Sequence, residues 1–298
     1  MLMLFRMLSR LPLRVLHALG ALAGCLVYAA SASYRQRYRA NVQIAGLPWS
    51  AARGGIKEAG RMIAELPWLW MRPPSQALGE VVQWQGIELV EQALAQGRGL
   101  VFLTPHLGCF EICAQAYAER FASAQAPITV LFRPAKQAWL RRVIDDSRGR
   151  PGLATAPATL AGVRQMIRAL RQGQSIGLLP DQVPPQGLGL WAPFFGRPAY
   201  TMTLAARLLQ QTGATALLIW GERLPQGRGY VVHVRPAPVI APDMPAESAA
   251  TSINQAMEEM IRLAPHQYLW GYNRYKHPRG LDIASAPTPN PPTSKEGA

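Results

Sequence analysis

The sequence predicts an α/β fold, a sheet covered by helices, in one large domain behind an apolar N-terminal segment. Three observations predict it. Short apolar runs alternate with helical stretches from Gly99 onward, the last two runs lie close enough to pair as a hairpin, and 298 residues can bury a full core without disulfide staples.

At the N-terminus, Val15 to Ser33 (VLHALGALAGCLVYAASAS) holds no Asp, Glu, Lys or Arg and is nearly long enough to cross a bilayer as a helix. Arg6, Arg10 and Arg14 precede it; Arg35, Arg37 and Arg39 follow. Cations on both flanks leave the positive-inside rule undecided. Residues 1–40 are therefore expected to be a membrane anchor with its basic flank. Two rivals remain, a signal peptide ending at AASAS and a buried helix of a soluble core. The length of the run and the arginines after it favour anchorage at an anionic surface.

Ile56 to Met71 (IKEAGRMIAELPWLWM) reads as an amphipathic helix interrupted by Pro67, with Trp68 and Trp70 suited to a membrane interface or to a core. The apolar runs GLVFLTP, PITVLFR, SIGLLP, ATALLIW and GYVVHVR then read as strands, with helices starting near Phe110, Lys136, Thr159 and Thr201. In the helix from Thr159 to Arg171, Leu160, Val163, Ile167 and Leu170 form an apolar stripe and Arg164, Arg168 and Arg171 a basic one, either solvated surface or a dock for an acidic carrier. Residues 41–280 form the expected catalytic domain, and the Pro-, Ser- and Thr-rich tail 281–298 is expected to be disordered.

The net charge of +14 asks for an anionic partner: nucleic acid, lipid headgroups or an acidic protein. Only 16% of residues are charged against 49% hydrophobic, and no basic tract or nucleic-acid fingerprint occurs. The reading is no nucleic acid and an anionic membrane surface. Three cysteines, Cys25, Cys109 and Cys113, show no paired framework, which fits a reduced compartment.

HLGCFE places His106 at a strand end and Glu111 five positions later. Were all six residues helical, the two side chains would stand about 140° apart around the axis. A meeting requires His106 before the helix, Gly108 at the turn and Glu111 in the first helical turn. There Glu111 can accept from one imidazole nitrogen and leave the other as a base; alternatively His106 caps the helix and Glu111 serves its dipole. Cys109 invites a thiol mechanism, and His106, Cys109 and Cys113 fall at metal-like spacings. A further ligand is wanting, so the expectation is a small buried side chain and no metal.

Further polar groups end strands: Arg133 after PITVLF, Asp181 and Gln182 after SIGLLP, and Glu222 and Arg223 after ATALLIWG. Such groups commonly converge on one cleft in α/β sheets. His233, alternating with valines, and His17, inside the apolar run, read as structural.

The order HLGCFE, LFRP, LLPDQ, APFFG and YLWGYNRYK resembles the late acyltransferases of lipid A assembly, the lauroyl and myristoyl transferase type within the glycerolipid-acyltransferase superfamily, from about Arg35 to Arg279. The resemblance implies a mixed central sheet flanked by helices, an N-terminal membrane-anchor helix, and a hydrophobic cleft for acyl chains. It implies transfer of a fatty acyl chain from acyl carrier protein to a hydroxyl of a saccharolipid, at the cytoplasmic face of the inner membrane with a single-pass anchor and no cofactor. His106 matches the catalytic histidine and Glu111 the acidic member of the H-x4-D/E motif. Arg133 and Asp181 match the arginine and aspartate of the next two blocks. Arg133 is assigned to a phosphate or the carrier's phosphopantetheine; Asp181 either orients Arg133 or closes the site. The sequence itself identifies no oxyanion donor, backbone amides near Leu107 and Gly108 being the candidates; Phe194 and Phe195 read as cleft lining or packing, and Trp270, Arg274 and Lys276 as interfacial or headgroup contacts. The alternatives are a lysophospholipid acyltransferase, which the absence of an EGT-containing block disfavours, and a non-catalytic lipid-binding protein, which the intact His106 and Glu111 disfavour.

Overall fold

The computed structural model describes residues 2–73, 75–121, 126–132 and 150–278. The helix expected near Lys136, Arg133 and the tail lie outside them. In chain order the helices are α1 (Leu2–Ser9), α2 (Leu13–Ala30), α3 (Ala32–Ile44), α4 (Trp49–Ala52), α5 (Gly55–Ala64), α6 (Leu66–Met71), α7 (Ile87–Ala95), α8 (Phe110–Phe121), α9 (Leu160–Arg171), α10 (Leu204–Thr212) and α11 (Ala246–Leu263). The strands are β1 (Val82–Gln85), β2 (Leu100–Leu103), β3 (Ile128–Phe132), β4 (Leu153–Pro157), β5 (Ser175–Leu178), β6 (Gly189–Phe194), β7 (Arg197–Met202), β8 (Thr215–Arg223) and β9 (Tyr230–Pro236).

Seven strands form one mixed sheet in the order β1-β9-β8-β2-β5-β3-β4, parallel throughout except for the antiparallel β8/β9 hairpin. Alternate residues of the inner strands feed two cores. Val101, Leu103, Ile176 and Leu178 pack under α9, α10 and α11, while Leu100, Phe102 and Ile128 pack under α7 and α8. All four residues of β2 are buried, as suits a strand covered on both faces.

Two strands have no apolar run in the sequence. β1 and β4 are the sheet's edges, each paired on one side, and their short VQWQ and LATAP segments carry little apolar signal. The segment through APFFGRPAYTM, read as Gly- and Pro-rich with a helix from Thr201, is instead the β6/β7 hairpin. Phe195 (φ 49°) and Gly196 (φ 71°) make its two-residue turn with the positive φ values such a hairpin needs. The next helix accordingly waits until Leu204.

Pro67 does not interrupt a continuous helix: α5 ends at Ala64, and the proline occupies the first turn of α6, where its missing N–H costs nothing. Trp68 and Trp70 are partly buried against the core beneath α7 and α8. Among the described residues α2 alone is long and apolar enough to cross a membrane, with a mean hydropathy of 1.6.

Candidate active site

Strands β2 and β5 lie side by side and parallel, with Leu103 opposite Leu178. Each is followed by two residues ending in proline and then a polar group, His106 after Thr104-Pro105 and Asp181 after Leu179-Pro180. Equal offsets from a shared register bring the two side chains together beyond the carboxyl ends of the strands, where α/β sheets place their ligands. His106 Nδ1 is 2.7 Å from Asp181 Oδ1, and the His106 backbone N–H donates to Asp181 Oδ2 at 2.9 Å. Tyr268 Oη donates to the same oxygen at 3.4 Å.

Asp181 is 2% exposed. Burial pushes its carboxyl up, but the His106 ring and its hydrogen bonds, with Arg274 nearby, outweigh that and hold it below the ordinary carboxylate range. An ionised carboxylate only accepts, so the proton between the two groups sits on Nδ1. The Gln182 side-chain amide nitrogen, which can only donate, stands 2.9 Å from His106 Nε2, which therefore accepts through its lone pair.

The loop after His106 is pinned by its backbone. Gly108 has φ 57°, as the expected turn demands, and a Cβ there would lie 2.0 Å from the Gly221 carbonyl oxygen of β8. Leu107 N–H donates to Pro105 O, Gly108 N–H to Gln267 O and Cys109 N–H to Gly221 O. These amides are committed to the fold, which removes Leu107 and Gly108 as oxyanion donors. α8 then starts at Phe110 and carries Glu111 in its first turn.

Two expectations are corrected at this point. The carboxylate on the imidazole is that of Asp181, where Glu111 was expected, because the β2/β5 register sets Asp181 on Nδ1 while Glu111 leaves from the helix. Asp181 contacts the base, a role beyond the two expected for it, orienting Arg133 or closing the site; Arg133 itself lies outside the described residues. Glu111 Oε2 accepts from Trp70 Nε1 at 3.3 Å.

His106, Glu111 and Gln182 all face one cavity of about 710 Å³. Its walls are largely apolar, from Phe110 and Ala114 of α8, Val130 and Phe132 of β3, Leu160 and Val163 of α9, and Leu204 and Leu208 of α10. Thr203, Arg207 and Gln211 add polar groups. The volume lies within the usual range of small-molecule sites, and the few convergent polar groups at an apolar cleft are what orient a hydrophobic ligand.

Other candidates fall elsewhere. Arg223 is buried away from the cavity between two carboxylates, its Nε and Nη2 on Glu65 at 2.8 and 2.6 Å and its Nη1 on Glu58 at 2.7 Å. His17 Nε2 and Tyr230 Oη complete this cluster on Glu65 at 3.1 and 3.0 Å. Burial alone raises the Glu65 carboxyl, yet Arg223 and His17 overcome it and bring it down to about 2. Glu222 pairs with His233 at 2.8 Å. Phe194 and Phe195 are buried against one another and lie outside the cavity lining, which leaves packing as their role. Trp270 is 1% exposed and Arg274 is buried, donating to Tyr200 O and Thr201 Oγ1, so neither is a headgroup contact. Lys276 lies over the Tyr272 ring. Cys109 is buried, and burial drives its thiol well above the ordinary range, which opposes a thiolate nucleophile.

Gln182 is one of the strand-end polar groups of the sequence, with no role of its own assigned there. Its signal was legible: in LLPDQ it follows the residue whose offset matches that of His106.

The family model described as bacterial lipid A biosynthesis acyltransferase matches residues 1–277. The chain is 26% identical over 227 residues to the lipid A biosynthesis lauroyltransferase of Escherichia coli (strain K12), covering 74% of this chain and 70% of the relative. It is 25% identical over 225 residues to the palmitoleoyltransferase of the same organism, with 74% and 70% covered. Likeness to its myristoyltransferase is 24% over 213 residues, with 72% and 63% covered.

Proposed function

From the premise that the chain belongs to the bacterial lipid A biosynthesis acyltransferase family, we propose that this acyltransferase moves a fatty acyl chain from the thioester of acyl carrier protein to a hydroxyl of a lipid A precursor. The reading places the reaction at the cytoplasmic face of the inner membrane. The observation that carries it is the His106–Asp181 pair opening on an apolar cavity of about 710 Å³.

In the proposed reaction the acceptor hydroxyl replaces the Gln182 amide at His106 Nε2. Nε2 takes the hydroxyl proton as the oxygen forms a bond to the thioester carbonyl carbon. Asp181 stabilises the imidazolium through Nδ1–H, as the acidic member of a triad does. Collapse of the tetrahedral intermediate breaks the carbon–sulfur bond, and the imidazolium returns its proton to the departing phosphopantetheine sulfur. An ester and a free carrier thiol result, and no acyl-enzyme is required.

The developing oxyanion needs a donor close to the base, and the amides of residues 107 to 109 are occupied. Gln182 supplies one in this account: displaced from Nε2, its amide stays beside the reacting carbon and donates to the carbonyl oxygen. Glu111, facing the same cavity, is assigned to orienting the acceptor. Arg133 keeps its assignment to an anionic group of acceptor or carrier.

The test is mass spectrometry of lipid A from cells with and without the chain. Loss of one acyl chain from lipid A on deletion supports the reading. An unchanged lipid A with altered phospholipids would transfer the site to a lysophospholipid acceptor, and no lipid change would leave a non-catalytic lipid binder.

A further inference from the structure

We infer that α2 does not cross the bilayer but lies in the plane of one leaflet, docked along the catalytic domain with its outer face in the acyl chains. The inference rests on the membrane location proposed above and departs from the single-pass anchor that the sequence suggests.

The helix has two apolar faces. Leu13, Leu16, His17, Gly20 and Gly24 are buried. Val15, Leu19, Leu22 and Leu26 follow at intervals of three and four, roughly half a turn away, and are 40%, 49%, 59% and 60% exposed. They form an unbroken apolar stripe of about 17 Å, and exposed Val27 stands beside its end. No Asp, Glu, Lys or Arg stands between Arg14 and Arg35. Water is a poor solvent for such a stripe, and exposed Leu2, Met3, Leu4 and Met7 of α1 and Ile63 of α5 add to the apolar surface of the same N-terminal helices.

The inner face is held to the domain from end to end. A Cβ at Gly227, beyond the end of β8, would lie 2.4 Å from Arg14 N. His17 then binds Glu65, itself held by Arg223 of β8. One turn on, a Cβ at Gly60 of α5 would lie 1.9 Å from Gly20 O, and a Cβ at Gly24 2.3 Å from Ile56 O. The two backbones touch, antiparallel, through small residues at a four-residue spacing. Tyr28, at the far end, sets its ring edge-on to Tyr38 of α3 at 5.8 Å.

A spanning helix puts its two ends on opposite sides of about 30 Å of hydrocarbon. Both ends and the middle of α2 touch a single folded body, so a crossing would carry α5 and the Glu58–Arg223–Glu65 cluster into the hydrocarbon with it. Charges at that depth are costly, and Lys57 of α5 is exposed. An in-plane helix avoids this and uses the arginines at both ends: exposed Arg6 and Arg10 before α2, exposed Arg14 in its first turn and exposed Arg39 after it meet the anionic headgroups of the same leaflet. The flanking charges that left orientation undecided are those an in-plane helix requires.

The test uses the full chain in its own membranes, with Cys25→Ser, the buried Cys109 and Cys113 left in place, and one added cysteine at Arg10→Cys or Ser33→Cys, labelled by a membrane-impermeant maleimide in right-side-out and inside-out vesicles. Both sites are expected to label only in inside-out vesicles. Labelling of the two sites from opposite faces would overturn the inference. A second variant, Leu19→Glu/Leu22→Glu/Leu26→Glu, is expected to move folded protein from the membrane pellet to the soluble fraction; retention in the pellet would overturn it too. Wild-type chain recovered as a soluble dimer would show a second copy covering the stripe and would also overturn it. Lipid A analysis is separate, so same-face labelling with unchanged lipid A would refute the acyl-transfer reading alone.

Discussion

His106 Nδ1 meets Asp181 Oδ1 at 2.7 Å because each residue lies three positions past the opposed pair Leu103 and Leu178 of two adjacent parallel strands. Register, rather than sequence proximity, chooses the partner of the base. Asp181→Asn, which keeps the shape and loses the charge, is expected to lower kcat roughly 10³-fold in a folded protein. Glu111→Gln, on the acceptor side, is expected to act more on the KM for lipid than on kcat. Steady-state kinetics of the two variants check this, and the reverse pattern would return the orienting role to Glu111.

Gln182 occupies the lone pair that the acceptor hydroxyl must use. If its amide then turns to the oxyanion, Gln182→Ala loses transition-state stabilisation, with kcat falling on the order of 10²-fold and little change in acceptor KM. A mere obstruction of the base would give the opposite sign, a faster enzyme.

The exposed arginines of α9 run from the turn after Leu160 and Val163, which line the cavity, and α9 carries no acidic residue. An acidic carrier docked there delivers its thioester at the cavity mouth. Charge reversal at Arg164, Arg168 and Arg171 is expected to raise the carrier KM about tenfold or more and to leave acceptor preference alone, as competition assays with two acceptors would report.

Glu65 ties α2 to β8, and its carboxyl is lowered from 4.5 to about 2. A depressed folded pKa stabilises the native state fully above about pH 4.5 and progressively less as pH falls towards 2. The contribution is on the order of 3 kcal/mol. Denaturant unfolding should show Glu65→Gln less stable than wild type at neutral pH, with the gap closing below about pH 4.5. A gap independent of pH would contradict the ion cluster.

Much of this was legible in the sequence where burial writes itself as apolar runs. The β2, β3, β5, β8 and β9 strands, the hairpin of the last two and the helix start at Phe110 follow from such runs. The edge strands β1 and β4 were hidden because an edge needs little apolar surface, and β6/β7 because its turn and prolines mimic a loop. At the site, His106 stood out by its strand end, whereas its partner depended on which strands lie side by side. The sequence points Arg223, at a strand end, to the cleft and Arg274 to the headgroups, and both are instead buried. Their burial depends on Glu58, Glu65, Tyr200 and Thr201, which only the fold brings to them.

The most direct measurement is acyl transfer by the purified full chain, wild type and His106→Ala, supplied with acyl-loaded carrier protein and a lipid A precursor and read by mass spectrometry of the lipid. The account predicts a product heavier by one acyl chain with wild type and none with a folded His106→Ala variant. Undiminished transfer by that variant would contradict it.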